Sequence, residues 1–142
     1  HAEMGVGEAM RRLAGSVSAA GIPFEVVNIA LPADRRQQDH TLAPHVVEAP
    51  GRALNVFCVN ADMVSSTIST LGASTMSGRY NVLRPFWELP HLHHSWLEPL
   101  CQFDEVWAPT RFVQQAFSAS GFGKVVHRHQ RKPSARGREA AL

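Results

Sequence analysis

Glu105-Val106-Trp107-Ala108-Pro109-Thr110-Arg111-Phe112-Val113-Gln114-Gln115-Ala116-Phe117-Ser118-Ala119 is the stretch on which the fold turns. Its first three residues form a short apolar strand, and Pro109, which has no amide hydrogen for a ladder, ends it. Thr110 stands where a helix N-cap needs a side-chain oxygen. Phe112, Val113, Ala116 and Phe117 then recur at helical spacing and read as an inward face. Gly121 and Gly123 stop the helix, and Val125-Val126 opens another strand.

The same alternation extends toward the N-terminus. Tyr80-Asn81-Val82-Leu83 reads as a strand that Pro85 helps to close, and Leu54-Asn55-Val56-Phe57-Cys58-Val59 is apolar enough for the middle of a sheet. Phe24-Glu25-Val26-Val27-Asn28-Ile29 follows Pro23. Between these runs lie helical patterns: Met10, Leu13, Ala14 and Val17 within 7–20, ended by Gly21; Val64, Ile68 and Leu71 within 62–72; Trp96, Leu97, Leu100 and Cys101 within 94–101. Residues 31–51, with Pro32, Pro44 and Pro50, read as a polar loop. The expectation is an α/β fold, a Rossmann-like domain with a mainly parallel sheet and helices on both faces. Strands are expected near 24–29, 54–59, 80–84, 104–107 and 124–127.

Composition agrees with one globular domain. At 142 residues, 44% hydrophobic and 18% charged, the chain can bury a core and is not of disordered composition. No apolar run approaches the roughly 20 residues of a membrane span, and no signal peptide opens the chain, which begins at His1. Cys58 and Cys101 read as small core residues, with nothing that demands an oxidising compartment, so a cytoplasmic location is expected. Residues 1–123 carry eight Arg against eleven Asp or Glu, whereas residues 124–142 carry six Lys or Arg against Glu139 alone. The domain spans 1–127. Residues 128–142 form a basic tail without apolar periodicity, read as disordered or non-native; lacking interleaved aromatics, it does not suggest nucleic-acid binding.

Several residues invite a chemical reading. Gly5-Val6-Gly7-Glu8 before the first helix would let an anion approach unpaired amides, but Asn28 stands where a dinucleotide site wants a carboxylate. Asn60 and Asp62 follow a strand, on the side where open α/β sheets bind ligands, and Asp62 also suits a helix cap. Glu88, between Trp87 and Leu89, reads as a desolvated carboxylate within reach of a sugar hydroxyl. Thr110 and Arg111 follow the next strand. His91, His93 and His94, like His127 and His129, lack the partners a metal site requires and read as solvated.

In aggregate, these segments resemble the N-terminal half of bacterial glycosyltransferases of the GT-B class, the "glycosyl transferases group one" type. The similarity covers roughly residues 4–127. It is carried by Gly5-Val6-Gly7-Glu8 with Arg11 and Arg12, Ala20-Gly21-Ile22-Pro23-Phe24, Asn55 to Met63, Gly78-Arg79-Tyr80-Asn81-Val82, Trp87-Glu88-Leu89-Pro90 and Asp104 to Val113. Leu83-Arg84-Pro85-Phe86 departs from it, standing where an aromatic-rich segment is expected. A first strand and a second domain that the resemblance implies have no counterpart here, so the domain reads as incomplete and truncated. The resemblance implies transfer of a sugar from a nucleotide-sugar donor, held by the missing domain, to a sugar or glycan acceptor. Gly5, Gly7, Asn60, Asp62, Thr110 and Arg111 would face ligand, Glu88 is the candidate catalytic contact, and neither metal nor other cofactor is implied. Two other classes remain open: a non-catalytic α/β binding or interaction module, and a phosphate or dinucleotide binder using Gly5 and Gly7.

Overall fold

The structure, a computed structural model, describes residues 5–29 and 39–128. It is an α/β fold built on parallel strands. Helix α1 (Gly5–Ala19) leads to β1 (Val26–Val27), which pairs in parallel with β2 (Val46–Val47). A four-stranded sheet follows: β3 (Leu54–Phe57), β4 (Tyr80–Leu83), β5 (Glu105–Ala108) and β6 (Val125–Arg128), all parallel and adjacent in chain order. The intervening helices are α2 (Val64–Leu71), α3 (Leu97–Leu100) and α4 (Arg111–Ala119). All five expected strands are present; β1 and β3 are shorter than the runs that announced them, and β5 and β6 lie one residue further along than expected.

The order of the strands decides where the helices go. Right-handed crossovers that advance steadily across a sheet deposit their helices on one face; only a reversal of direction covers the other. Phe57, Leu83 and Val106 lie opposite one another across the ladders and share one buried cluster with Val64 of α2, Leu100 of α3, and Val113 and Phe117 of α4. Phe103 fills its centre, its ring meeting Phe57 edge-on at 5.1 Å. The opposite face carries Leu54, Tyr80 and Val125, each about half exposed, and also Val82, which is fully buried. The three crossover helices of this sheet, α2, α3 and α4, therefore cover one face.

The smaller sheet was not foreseen, because Val46-Val47 is only two apolar residues inside a proline-containing loop. A short 3-10 turn at Ala43–His45 delivers it, with the His45 ring stacked on Phe24 at 4.3 Å. Glu25 accepts hydrogen bonds from the Gly51 amide (2.8 Å) and Arg52 Nε (3.1 Å), tying β1 to the approach of β3. Ile29 packs against the main core.

At the element ends, Gly21 (φ 69°) and Gly121 (φ 77°) take the left-handed conformation that terminates α1 and follows α4. Two details differ from expectation. Phe112 is 45% exposed; the inward stripe of α4 is Val113, Ala116 and Phe117, and Phe112 lies beyond its edge. Cys101 is exposed rather than in the core, because it caps α3 just beyond the buried Leu100, while Cys58 is half-buried. No helix among the described residues is long and apolar enough to cross a membrane. Arg128 belongs to β6; residues 129–142, including His129 and nearly all of the basic tail, lie outside the described residues.

Candidate functional site at the carboxyl ends of the strands

The residue offset that pairs Leu54 with Tyr80 and Phe57 with Leu83 continues past the strands and brings Asn60 to Phe86. The Arg84 amide donates to the Phe57 carbonyl at 2.8 Å, which sets Arg84 beside Cys58. Strand alternation sends Phe57, Val59 and Leu83 into the core and leaves Cys58, Asn60, Arg84 and Phe86 on the other side. The Arg84 guanidinium carbon lies 5.4 Å from the centre of the Phe86 ring. Burial pushes the Cys58 thiol above its ordinary pKa, and the neighbouring Arg84, through its charge and a side-chain hydrogen bond to the thiol, opposes that shift without overcoming it.

Polar atoms here are left unmet. Arg84 Nε and Nη1, and Asn60 Oδ1, are buried without a hydrogen-bond partner. Asn60 is the N-cap of the 3-10 turn Ala61–Met63, yet only its backbone carbonyl is used, accepting from the Met63 amide at 3.0 Å. Its side-chain oxygen makes no cap bond. Buried polar groups are nearly always satisfied, so these atoms, on adjacent strand extensions, call for partners from water or a ligand.

The other expected site residues distribute unevenly. Asp62 is exposed in the 3-10 turn, and the caps there carry no side-chain hydrogen bond, so it does not cap α2. Thr110 and Arg111 lie one strand further, past the end of β5. The Thr110 hydroxyl accepts from the Val113 amide at 3.2 Å, a capping role, and Arg111 is exposed in the first turn of α4. Gly5 and Gly7 are built into α1 rather than into a loop before it, and a Cβ on Gly5 would meet open space, so no close approach requires glycine there. Glu88 is exposed, not desolvated: Trp87 turns its Nε1 to the His91 carbonyl (3.1 Å) and its ring edge-on to Trp96 (5.0 Å), and Leu89 points outward.

His91, His93 and His94 are exposed, as expected, with His93 Nδ1 at 2.8 Å from Ser95 Oγ. Among the described residues no group of three His, Cys, Asp or Glu side chains is placed to hold a metal ion. His127 Nε2 lies 3.2 Å from Glu105 Oε2. A cavity of about 300 Å³ lined by Ser18, Gly21, Ile22, Pro23, Phe24 and His45 contains none of the expected site residues. Its lining has no side chain left buried and unpaired, which makes the strand-end cluster the better site.

Arg84 and Phe86 were not among the expected site residues. Their signal was present: a charged residue directly after a central strand and fixed by Pro85, in the segment that departs from the resemblance. Comparison with protein-family models, with curated proteins and with solved structures returns no match for this chain.

Proposed function

We propose that this domain is the acceptor side of a two-domain, nucleotide-sugar-dependent glycosyltransferase of the bacterial cytoplasm. The observation that supports it best is the set of unmet buried donors and acceptor on Arg84 and Asn60. It lies at the carboxyl ends of adjacent parallel strands, where open α/β sheets bind ligands. The sequence resemblance supplies the reaction. On this reading the edge from Asn60 through Arg84 to Thr110 and Arg111 seats a saccharide, and Glu88 reaches it from the following loop. The donor's diphosphate is neutralised by basic side chains and helix N-termini of the second domain.

The exposure of Glu88 favours one alternative, a non-catalytic α/β binding module, since a carboxylate in water is a weaker candidate for general-base work than one shielded from it. The two readings separate in one experiment. The purified chain is titrated by calorimetry with a panel of neutral and acidic oligosaccharides and with nucleotide sugars, and release of nucleotide is assayed in parallel. Saccharide binding without nucleotide-sugar binding is the expected result. If no saccharide binds, the acceptor-side reading fails. In a parent that carries the second domain, nucleotide release on adding the bound saccharide supports the transferase, and its absence supports the module.

A further inference from the structure

The chemistry left open by Arg84 and Asn60 is narrower than "a saccharide". The Arg84 guanidinium is a donor-only cation, and its Nε and Nη1 are buried without a hydrogen-bond partner. No carboxylate forms an ion pair with it among the described residues. Phe86 covers one side of the guanidinium, but a ring face offers no lone pair to the in-plane N–H groups. Arg84 is half-buried, and leaving its two buried donors without a partner is costly, a cost that an acceptor from a ligand would remove. Nε and an Nη of one guanidinium form the fork that matches the two oxygens of a carboxylate or phosphate. Asn60 Oδ1, on the adjacent strand extension, needs the opposite: a hydroxyl or N–H that donates.

We propose that Arg84 and Asn60 form a binding site for an acidic sugar, one bearing a carboxylate or phosphate for Arg84 and a neighbouring hydroxyl for Asn60. This rests on the reading of the edge as a saccharide site and adds the charge of the saccharide. Phe86 holds the guanidinium plane in place through its ring contact. The Cys58 thiol beneath, kept protonated by burial, adds no competing negative charge.

Thermal unfolding of the full chain tests this, with glucuronic acid, glucose 6-phosphate, inorganic phosphate and glucose as probes. A ligand at about a hundred times its Kd is expected to raise the melting temperature by roughly 5 °C or more. Glucuronic acid or glucose 6-phosphate should do so, and which of them is stronger distinguishes a carboxylate from a phosphate source. Glucose and inorganic phosphate, each lacking one half of the recognition, should shift it at least tenfold more weakly in concentration. Arg84→Met, which keeps the stem against Phe86 and removes the unpaired charge, should melt higher than the wild type without ligand and lose the response to acidic sugars. Arg84→Lys, should the first variant fold poorly, keeps a charge without the fork and should weaken the response at least tenfold.

Equal responses to glucose and to the acidic sugars would overturn the charge assignment while leaving a saccharide site standing. No response to any sugar would remove the saccharide reading itself. An Arg84→Met chain that melts lower yet answers acidic sugars as the wild type does would make Arg84 a packing residue and overturn the proposal.

Discussion

Thr110 commits its hydroxyl oxygen to the Val113 amide, and that bond starts α4 against β5. Thr110→Ala should lower unfolding free energy by about 1 kcal/mol, read from urea denaturation, with Thr110→Ser close to wild type. An unchanged midpoint for the alanine variant would mean that the cap contributes nothing. The two cysteines should part in reactivity. Cys101 is exposed, and Cys58 is held protonated by burial. A maleimide at neutral pH should label Cys101 rapidly and Cys58 only under denaturant. The same burial has a pH consequence. Because the folded-state pKa of Cys58 is raised, its contribution to stability is complete below the ordinary thiol value of 9.0 and is lost as pH rises through the higher folded value. Alkaline unfolding should therefore begin earlier in the wild type than in Cys58→Ala. At this scale the sequence was readable where a residue acts on its own backbone, as Thr110 does. It was silent where the role depends on a neighbouring strand. Nothing in the string places Asn60 beside Phe86, or leaves the Arg84 donors unpaired.

Among the elements, β3, α1 and α4 were legible from their own apolar patterns, whereas β4, β5 and β6, the last only Val125-Val126, were legible from short runs set between helix and turn signals such as Gly121 and Gly123. Strand β2 was not, since two valines carry no period and only the ladder to Val26 and Val27 makes them a strand. The amino ends of the main sheet were equally opaque. There Asn81, buried, donates from Nδ2 to the Met76 and Arg79 carbonyls at 3.0 and 2.9 Å and accepts from Asn55 Nδ2 at 2.9 Å. In the sequence it is a polar residue inside a strand. In the fold it fastens the turn after α2 to β4. Asn81→Ala should cost about 1–3 kcal/mol by stranding those partners, measured by chemical denaturation. Phe117→Ala, which empties the contact between α4 and the core, should cost about 3–5 kcal/mol. If Asn81→Ala were neutral, the network would be decoration on a turn held by packing alone.

For the whole molecule, the steady advance from β3 to β6 has the largest consequence. It places α2, α3, α4 and the main core cluster under one face of the sheet, while the common direction of the strands gathers their carboxyl ends into a single edge, where the unmet polar atoms stand. The class of fold was legible because strand and helix signals alternate. The disposition of the helices was not, because strand order is a tertiary fact. On the proposed function, the chain alone should release no nucleotide from any nucleotide sugar, since half a cleft lacks the diphosphate contacts, each typically worth about 10²–10³ in rate. Turnover by the isolated chain would place the donor site within these residues and contradict that division. The most direct test of the ligand edge is residue-resolved: amide and Arg Nε–H resonances of the isotope-labelled chain followed through a titration with glucuronic acid. The account predicts saturable shifts at Asn60, at Arg84 including its Nε–H, and at Phe86. Shifts confined to the cavity around Ser18, Ile22, Phe24 and His45, with Arg84 unmoved, would contradict it.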